Sequence, residues 1–202
     1  QYYIINLTII HIMNDEVREV IGVEENEIIN VGKIKVKVMP VDHDAYGACG
    51  LLIETPDLKI AYSGDIRLHG YRENDTINFC KESKNCDVLL IEGVSVSFQD
   101  FGEKLRENEA ENEEELIEKI NEVVKSNPDK QLTFNYYIAN VERILNIIKT
   151  NPRVVVLDAY FSYVVKEATG IATYYYQLDN KDYGLDENLR VDFKELINDE
   201  SK

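Results

Sequence analysis

The sequence predicts an α/β protein built in two parts, and three observations carry that prediction. The first half holds closely spaced apolar runs of β character separated by turn signals. The second half alternates short continuous apolar runs with segments whose apolar residues recur at helical spacing, the pattern of a parallel α/β unit with right-handed crossovers. Between them, residues 40–70, PVDHDAYGACGLLIETPDLKIAYSGDIRLHG, place polar clusters at the ends of two apolar runs. Strands hold the backbone still while the loops at their ends present side chains, so functional groups are expected there.

In chain order, residues 1–12 are rich in Ile and Tyr and predict a strand or a buried segment. Asn14-Asp15 can cap a short helix over 16–21, ended by Gly22. Residues 24–30 are acidic and loop-like, and 33–38 (KIKVKV) alternate with period two, a half-exposed strand. Two strands follow, at 50–53 and 59–62, joined by a Pro56-Asp57 turn. Residues 68–84 are polar and irregular, and 87–92 (DVLLIE) predict a strand buried on both faces. A loop over 95–108 leads to an amphipathic helix over 109–126 with an acidic outer face. Then come a strand at 131–134, a helix over 138–149, a strand at 153–157 and a helix over 160–168. Residues 173–177 suit a strand or a loop, and the polar remainder holds one helical candidate at 191–197.

Composition narrows the function. With 202 residues, 44% of them hydrophobic, the chain can bury one core, or one and part of another. A formal charge of -16 repels phosphate at long range and argues against a general nucleic-acid coat protein. It leaves room for a nuclease, whose bound metal ions reverse the local field. Three cysteines (Cys49, Cys80, Cys86) are an odd and sparse set, better suited to free thiols in a reducing, cytoplasmic compartment than to a disulfide framework. Cys80 and Cys86 lack the short spacing of a zinc knuckle. No apolar run approaches the length of a membrane span, so no membrane partner is expected. The apolar start has no basic region and no small-residue cleavage site, unlike a signal peptide.

His43 and Asp65 are the first candidates for chemistry, each beside one strand of a hairpin. An imidazole and a carboxylate suit zinc or manganese, and Asp42 or Asp44 could orient the imidazole. By spacing alone, a hydrogen-bonded loop histidine and a turn aspartate are modestly favoured. Arg67 can contact a phosphate or pair with one of the 38 acidic residues, and pairing is favoured. Asn135, Asn140 and Arg143 join a strand end to a helix start, where free N–H groups attract anions, with Tyr136 and Tyr137 able to stack on a base. A helix cap, an ion pair and core-edge tyrosines explain the same residues.

The segment VDHDAYGACGLLIE…KIAYSGDIRLHG resembles the third and fourth metal-binding motifs of the metallo-β-lactamase fold, in the β-CASP branch of RNase J-like nucleases. LLIEG at 89–93 is similar to the strand that ends in that branch's acidic residue, and FNYYIANVERI from Phe134 is similar to a strand-to-helix step of the inserted domain. The resemblance implies a partial metallo-β-lactamase sheet/helix sandwich over residues 1–100 and a β-CASP-like parallel α/β domain over 101–202, with a poorly matched polar tail from about 172. It implies His43 as a metal ligand, Asp65 as the bridge between two zinc ions, and Glu92 as support for a later histidine. It places Asn135, Asn140 and Arg143 toward a nucleic-acid cleft and allows His69 a place at the site's rim, although a surface loop histidine is the favoured reading there. The activity implied is zinc-dependent hydrolysis of RNA phosphodiester bonds by a metal-activated water.

The departures matter as much. The family's His-x-His-x-Asp-His signature, source of most metal ligands, is absent, and the three histidines are His11, His43 and His69. The chain is expected to be a fragment or a shortened relative with an incomplete site. The alternative is a non-catalytic remnant of the fold serving as a binding or assembly module. A nucleotide-binding protein is disfavoured because no Gly-rich phosphate loop occurs. A truncated sheet would leave edges uncovered, so a homodimer or marginal stability is expected.

Overall fold

The computed structural model describes residues 2–4, 20–93 and 109–198. They divide into two compact units, the first reaching Glu113 and the second starting at Glu114. The chain is mixed α/β, with a five-stranded sheet and helices.

In the first unit, strands β1 (Tyr2–Ile4) and β2 (Val20–Gly22) form a short parallel pair. A helix over 16–21 is therefore not what Val20 and Ile21 adopt, and its remaining residues, 16–19, lie outside the described residues. The main sheet has the order β3 (Ile28–Val31), β4 (Ile34–Pro40), β5 (Cys49–Glu54), β6 (Lys59–Tyr62) and β7 (Val88–Leu90). The acidic segment expected as a loop thus ends in a strand. It is held by the β4 hairpin, with Ile29 opposite Val36 and Gly32 turning the chain at φ 64°.

Register positions the candidate site. Strand β5 is antiparallel to both neighbours, pairing Pro40 with Cys49 on one side and Leu51 with Tyr62 on the other. Strand β7 runs parallel to β6, with Leu90 opposite Tyr62. Strands β4, β6 and β7 therefore run the same way, and their C-terminal ends lie along one edge of the sheet. The Pro56-Asp57 turn is closed by Thr55, whose hydroxyl accepts from the Leu58 N–H at 2.9 Å.

Helix α1 (Glu73–Glu82) covers part of this sheet where an irregular segment was expected. Its sequence, ENDTINFCKE, has too few apolar residues to show a helical stripe, and only Thr76 and Phe79 are buried. Phe79 joins Met39, Val41 and Ala61 in the core, and Gly50 makes room for its ring: a Cβ there would lie 2.6 Å from it. Strand β7 corrects a second expectation. It is an edge strand with Leu89 and Leu90 more than half exposed, because β6 is its sole partner among the described residues.

Helix α2 (Glu113–Ser126) starts at the last residue of the first unit and otherwise belongs to the second, where helix α3 (Val141–Thr150), strand β8 (Val156–Asp158), helix α4 (Ala159–Thr169) and strand β9 (Tyr174–Tyr176) follow in order. A 3-10 turn (Glu187–Leu189) and helix α5 (Phe193–Asn198) complete it. Strands β8 and β9 are parallel, with Leu157 opposite Tyr175 and α4 as the crossover. Asp158 caps α4 by accepting from the Tyr160 N–H at 2.9 Å, and Gly170 ends it at φ 73°. Val141, Ile144, Val165 and Tyr175 are buried in this unit. No strand forms at 131–134. The apolar residue Phe134 is exposed, and the Gln131 carboxamide donates to the Leu196 carbonyl, so tertiary contacts replace a ladder. No helix among the described residues is long and apolar enough to cross a membrane.

Candidate functional site

Three loops leave the shared edge of the five-stranded sheet. The loop after β4 carries Asp42 and His43, the loop after β6 carries Asp65, Arg67, His69 and Gly70, and the end of β7 leads to Glu92. Hydrogen bonds tie them together. The Arg67 N–H donates to the Asp42 carbonyl at 2.8 Å, and the Ser63 N–H to the Leu90 carbonyl at 2.9 Å. The Ile66 N–H donates to the Glu92 carboxylate at 2.7 Å. The three residues the sequence singles out, His43, Asp65 and Glu92, thus sit on three linked loops at one edge.

The Ser63-Gly64-Asp65 turn has a local cause. Gly64 has φ 59°, and a Cβ there would lie 2.8 Å from the Cys49 carbonyl oxygen, so both conformation and space require glycine. This sharp turn brings Asp65 out of the strand direction, and its side chain is exposed. Cys49 itself is a partly buried thiol, pushed up to about 11 by desolvation, which suits a structural residue and not a thiolate ligand.

The half-buried His43 ring places Nδ1 3.0 Å from Asp44 Oδ1 and 3.2 Å from the Ala45 N–H. One nitrogen serves one of these partners at a time. A proton on Nδ1 pairs with Asp44 and leaves the Nε2 lone pair outward, the tautomer a cation would need. With the proton on Nε2, Nδ1 accepts from Ala45 and the ring is a loop brace. Asp44, and not Asp42, is the carboxylate beside the imidazole.

Asp42 has a different use. It is wholly buried and accepts from Arg67 Nε at 3.2 Å and from the Gly70 N–H at 2.7 Å. Its own N–H donates to the Thr76 hydroxyl on α1 at 2.8 Å. Arg67, 9% exposed, also donates through Nη1 to Glu113 at 2.9 Å, and Glu113 is 2% exposed. Pairing with acidic residues is therefore what Arg67 does. The Glu113 N–H donates to the His69 carbonyl at 3.0 Å, so His69 contributes backbone to this cluster while its side chain is exposed. The local signal for the cluster is an arginine followed closely by glycine in a strongly acidic chain; the partners come from 25 and 46 residues away.

Asn135, Asn140 and Arg143 lie in the second unit. Asn140 is buried and caps α3, its Oδ1 accepting from the Arg143 N–H at 3.1 Å, so this oxygen is committed to the helix. Asn135 is exposed and accepts from the Tyr136 N–H at 2.9 Å. Tyr136 packs edge-on against Phe161 at 5.0 Å, which engages its ring inside the unit, whereas Tyr137 is exposed.

A zinc centre takes three or four protein ligands. Among the described residues no group of three or more His, Cys, Asp or Glu side chains could hold a metal ion. His43 and Asp65 therefore do not make a complete centre within this part of the chain.

No protein-family model matches the chain, and no curated protein matches it. Among solved structures it is similar to a protein of unknown function from Enterococcus faecalis V583, with 41% sequence identity and a TM-score of 0.86. The match covers 93% of this chain and 44% of that one, so the chain spans less than half the length of the protein it resembles.

Proposed function

We propose that this chain carries part of a metal-dependent hydrolase of the metallo-β-lactamase fold, β-CASP branch, acting on phosphodiester bonds of RNA. In this reading His43 and Asp65 are two of its zinc ligands, and Glu92 holds the Asp65 loop. The observation that supports it is the edge where β4, β6 and β7 end together, because it puts both ligand types on loops linked by hydrogen bonds. The remaining ligands of the two zinc ions would come from outside the described residues. By itself the chain is expected to bind zinc below one ion per chain and to cleave RNA little or not at all.

The test is zinc content by plasma mass spectrometry, together with cleavage of end-labelled RNA and DNA, in the chain and in the protein that contains it. Cleavage of RNA by the containing protein, lost in both His43→Ala and Asp65→Ala, is the expected result. Cleavage that survives both substitutions would overturn the assignment. The shortage of ligands among the described residues favours a second reading, a non-catalytic binding or assembly module. Zinc-free, inactive protein in both forms would select it.

A further inference from the structure

We propose that Arg67 is a positioning residue that binds the His43 loop to the Asp65 loop, so that the two candidate ligands are presented as one unit. The proposal rests on the metal-site reading for its purpose, though not for its geometry. Arg67 lies two residues after Asp65, and Asp42 immediately precedes His43. The bond between their side chains therefore spans the two ligand-bearing loops at their functional ends. It is doubled by the backbone bond from the Arg67 N–H to the Asp42 carbonyl. The same carboxylate reaches back to the Gly70 N–H, closing the Asp65 loop on itself. Glu113 holds the other side of the guanidinium through a separate nitrogen.

The chemistry requires arginine. Two buried carboxylates are served by Nε and Nη1 of one planar fork, whereas a lysine ammonium is a single point that cannot take both in this geometry. Nη2 is buried without a hydrogen-bond partner among the described residues, so the fork is held through Nε and Nη1. Arg67 is also the cation shared by two buried anions, so the loops cannot separate without leaving a charge buried and unpaired.

The test is residue-resolved amide exchange by NMR on the chain, in wild type, Arg67→Lys and Glu113→Gln. Glu113→Gln leaves a balanced Asp42–Arg67 pair and so is the variant expected to fold in any case. Arg67→Lys should accelerate exchange of the Ala45 and Gly70 amides together, by about tenfold or more, while Glu113→Gln, which keeps the Asp42–Arg67 bridge, stays near wild type there, and sheet amides such as those of Leu52 and Ala61 keep wild-type protection in both. Unchanged exchange at Ala45 and Gly70 in Arg67→Lys would overturn the proposal. So would acceleration spread equally through the sheet, which marks lost stability and not lost positioning.

A second arm separates this proposal from the metal reading. Excess Co2+ is titrated into the wild-type chain while paramagnetic broadening is followed around His43 and Asp65. Broadening at both loops with one midpoint, split into two midpoints in Arg67→Lys, is expected. Absence of broadening in wild type would count against the metal reading alone, and the exchange arm would still decide the role of Arg67.

Discussion

Gly70→Ala isolates the buried cluster with a single methyl group. Gly70 does not have a positive φ, so the substitution carries no backbone penalty of that kind. Its consequence is steric: the new Cβ would lie 2.1 Å from Asp42 Oδ1, 2.5 Å from Asp42 Oδ2 and 2.5 Å from Arg67 Nη2. The carboxylate must move by more than an ångström to restore van der Waals contact. It then loses its bonds to the Gly70 N–H and to Arg67 Nε, with no solvent to replace them. Breaking a buried ion pair so that a charge is left alone costs about 3–5 kcal/mol. With a urea slope of about 2 kcal/mol per molar, the midpoint of the first unit should fall by about 2 M. Because the chain forms two units, the transition is best followed at a residue within the first, such as the buried Ala61 methyl, by NMR. The cycle with Asp42→Ala makes the reasoning decisive. If the clash acts through the carboxylate, Gly70→Ala should cost under about 1 kcal/mol once Asp42 is gone. A loss below about 1 kcal/mol in the wild-type background, or an equal loss in both backgrounds, would refute it.

Other expectations follow from the same contacts. Gly64→Ala should cost about 1–2 kcal/mol for the left-handed backbone. Its close approach to the Cys49 carbonyl adds to that, and an unchanged melting temperature would contradict the turn geometry. Asn140→Ala should destabilise the second unit by about 1 kcal/mol through loss of the α3 cap, read as a lower thermal midpoint, with Asn140→Asp close to wild type. Cys49, raised from 9.0 to about 11, should react with a thiol reagent at pH 8 roughly a hundredfold more slowly than its ordinary ionisation allows, and more slowly than the exposed Cys80. The linkage has a definite sign. The native state holds that proton more tightly than the unfolded state, so its contribution is complete below pH 9 and is lost as the pH climbs toward 11. A denaturation midpoint that rises over that interval would oppose the burial argument.

Much of the architecture can be read along the chain. Alternation in KIKVKV, the Pro56-Asp57 turn and the apolar runs beside it specify the β4–β6 meander. The pattern works because each strand pairs with its neighbour in sequence and one side-chain period decides which face is buried. Helices α2, α3 and α4 are legible for a similar reason, since their apolar residues recur every three or four positions. The edge shared by His43 and Asp65 is legible too, because they stand beside the two strands of one hairpin, whereas Glu92 joins it only because β7 pairs parallel to β6.

The rest needed the third dimension. Helix α1 buries two residues, too few for a sequence period, and is held by Phe79 against Gly50 and by Thr76 beneath Asp42. Residues 131–134 have strand composition but no partner strand, and composition cannot supply one. DVLLIE looks like an interior strand, although only the position of β7 at the end of the sheet order shows that its leucines stay exposed. Above all, Asp42 and His43 are adjacent letters with opposite fates. The sequence by itself determined where polar groups would gather, because strand ends and turns are local. Tertiary structure alone decided that Asp42 would turn inward to Arg67 and Gly70 while His43 stayed at the surface beside Asp44, because the partners that bury a charge are distant in sequence and meet only when the sheet has formed.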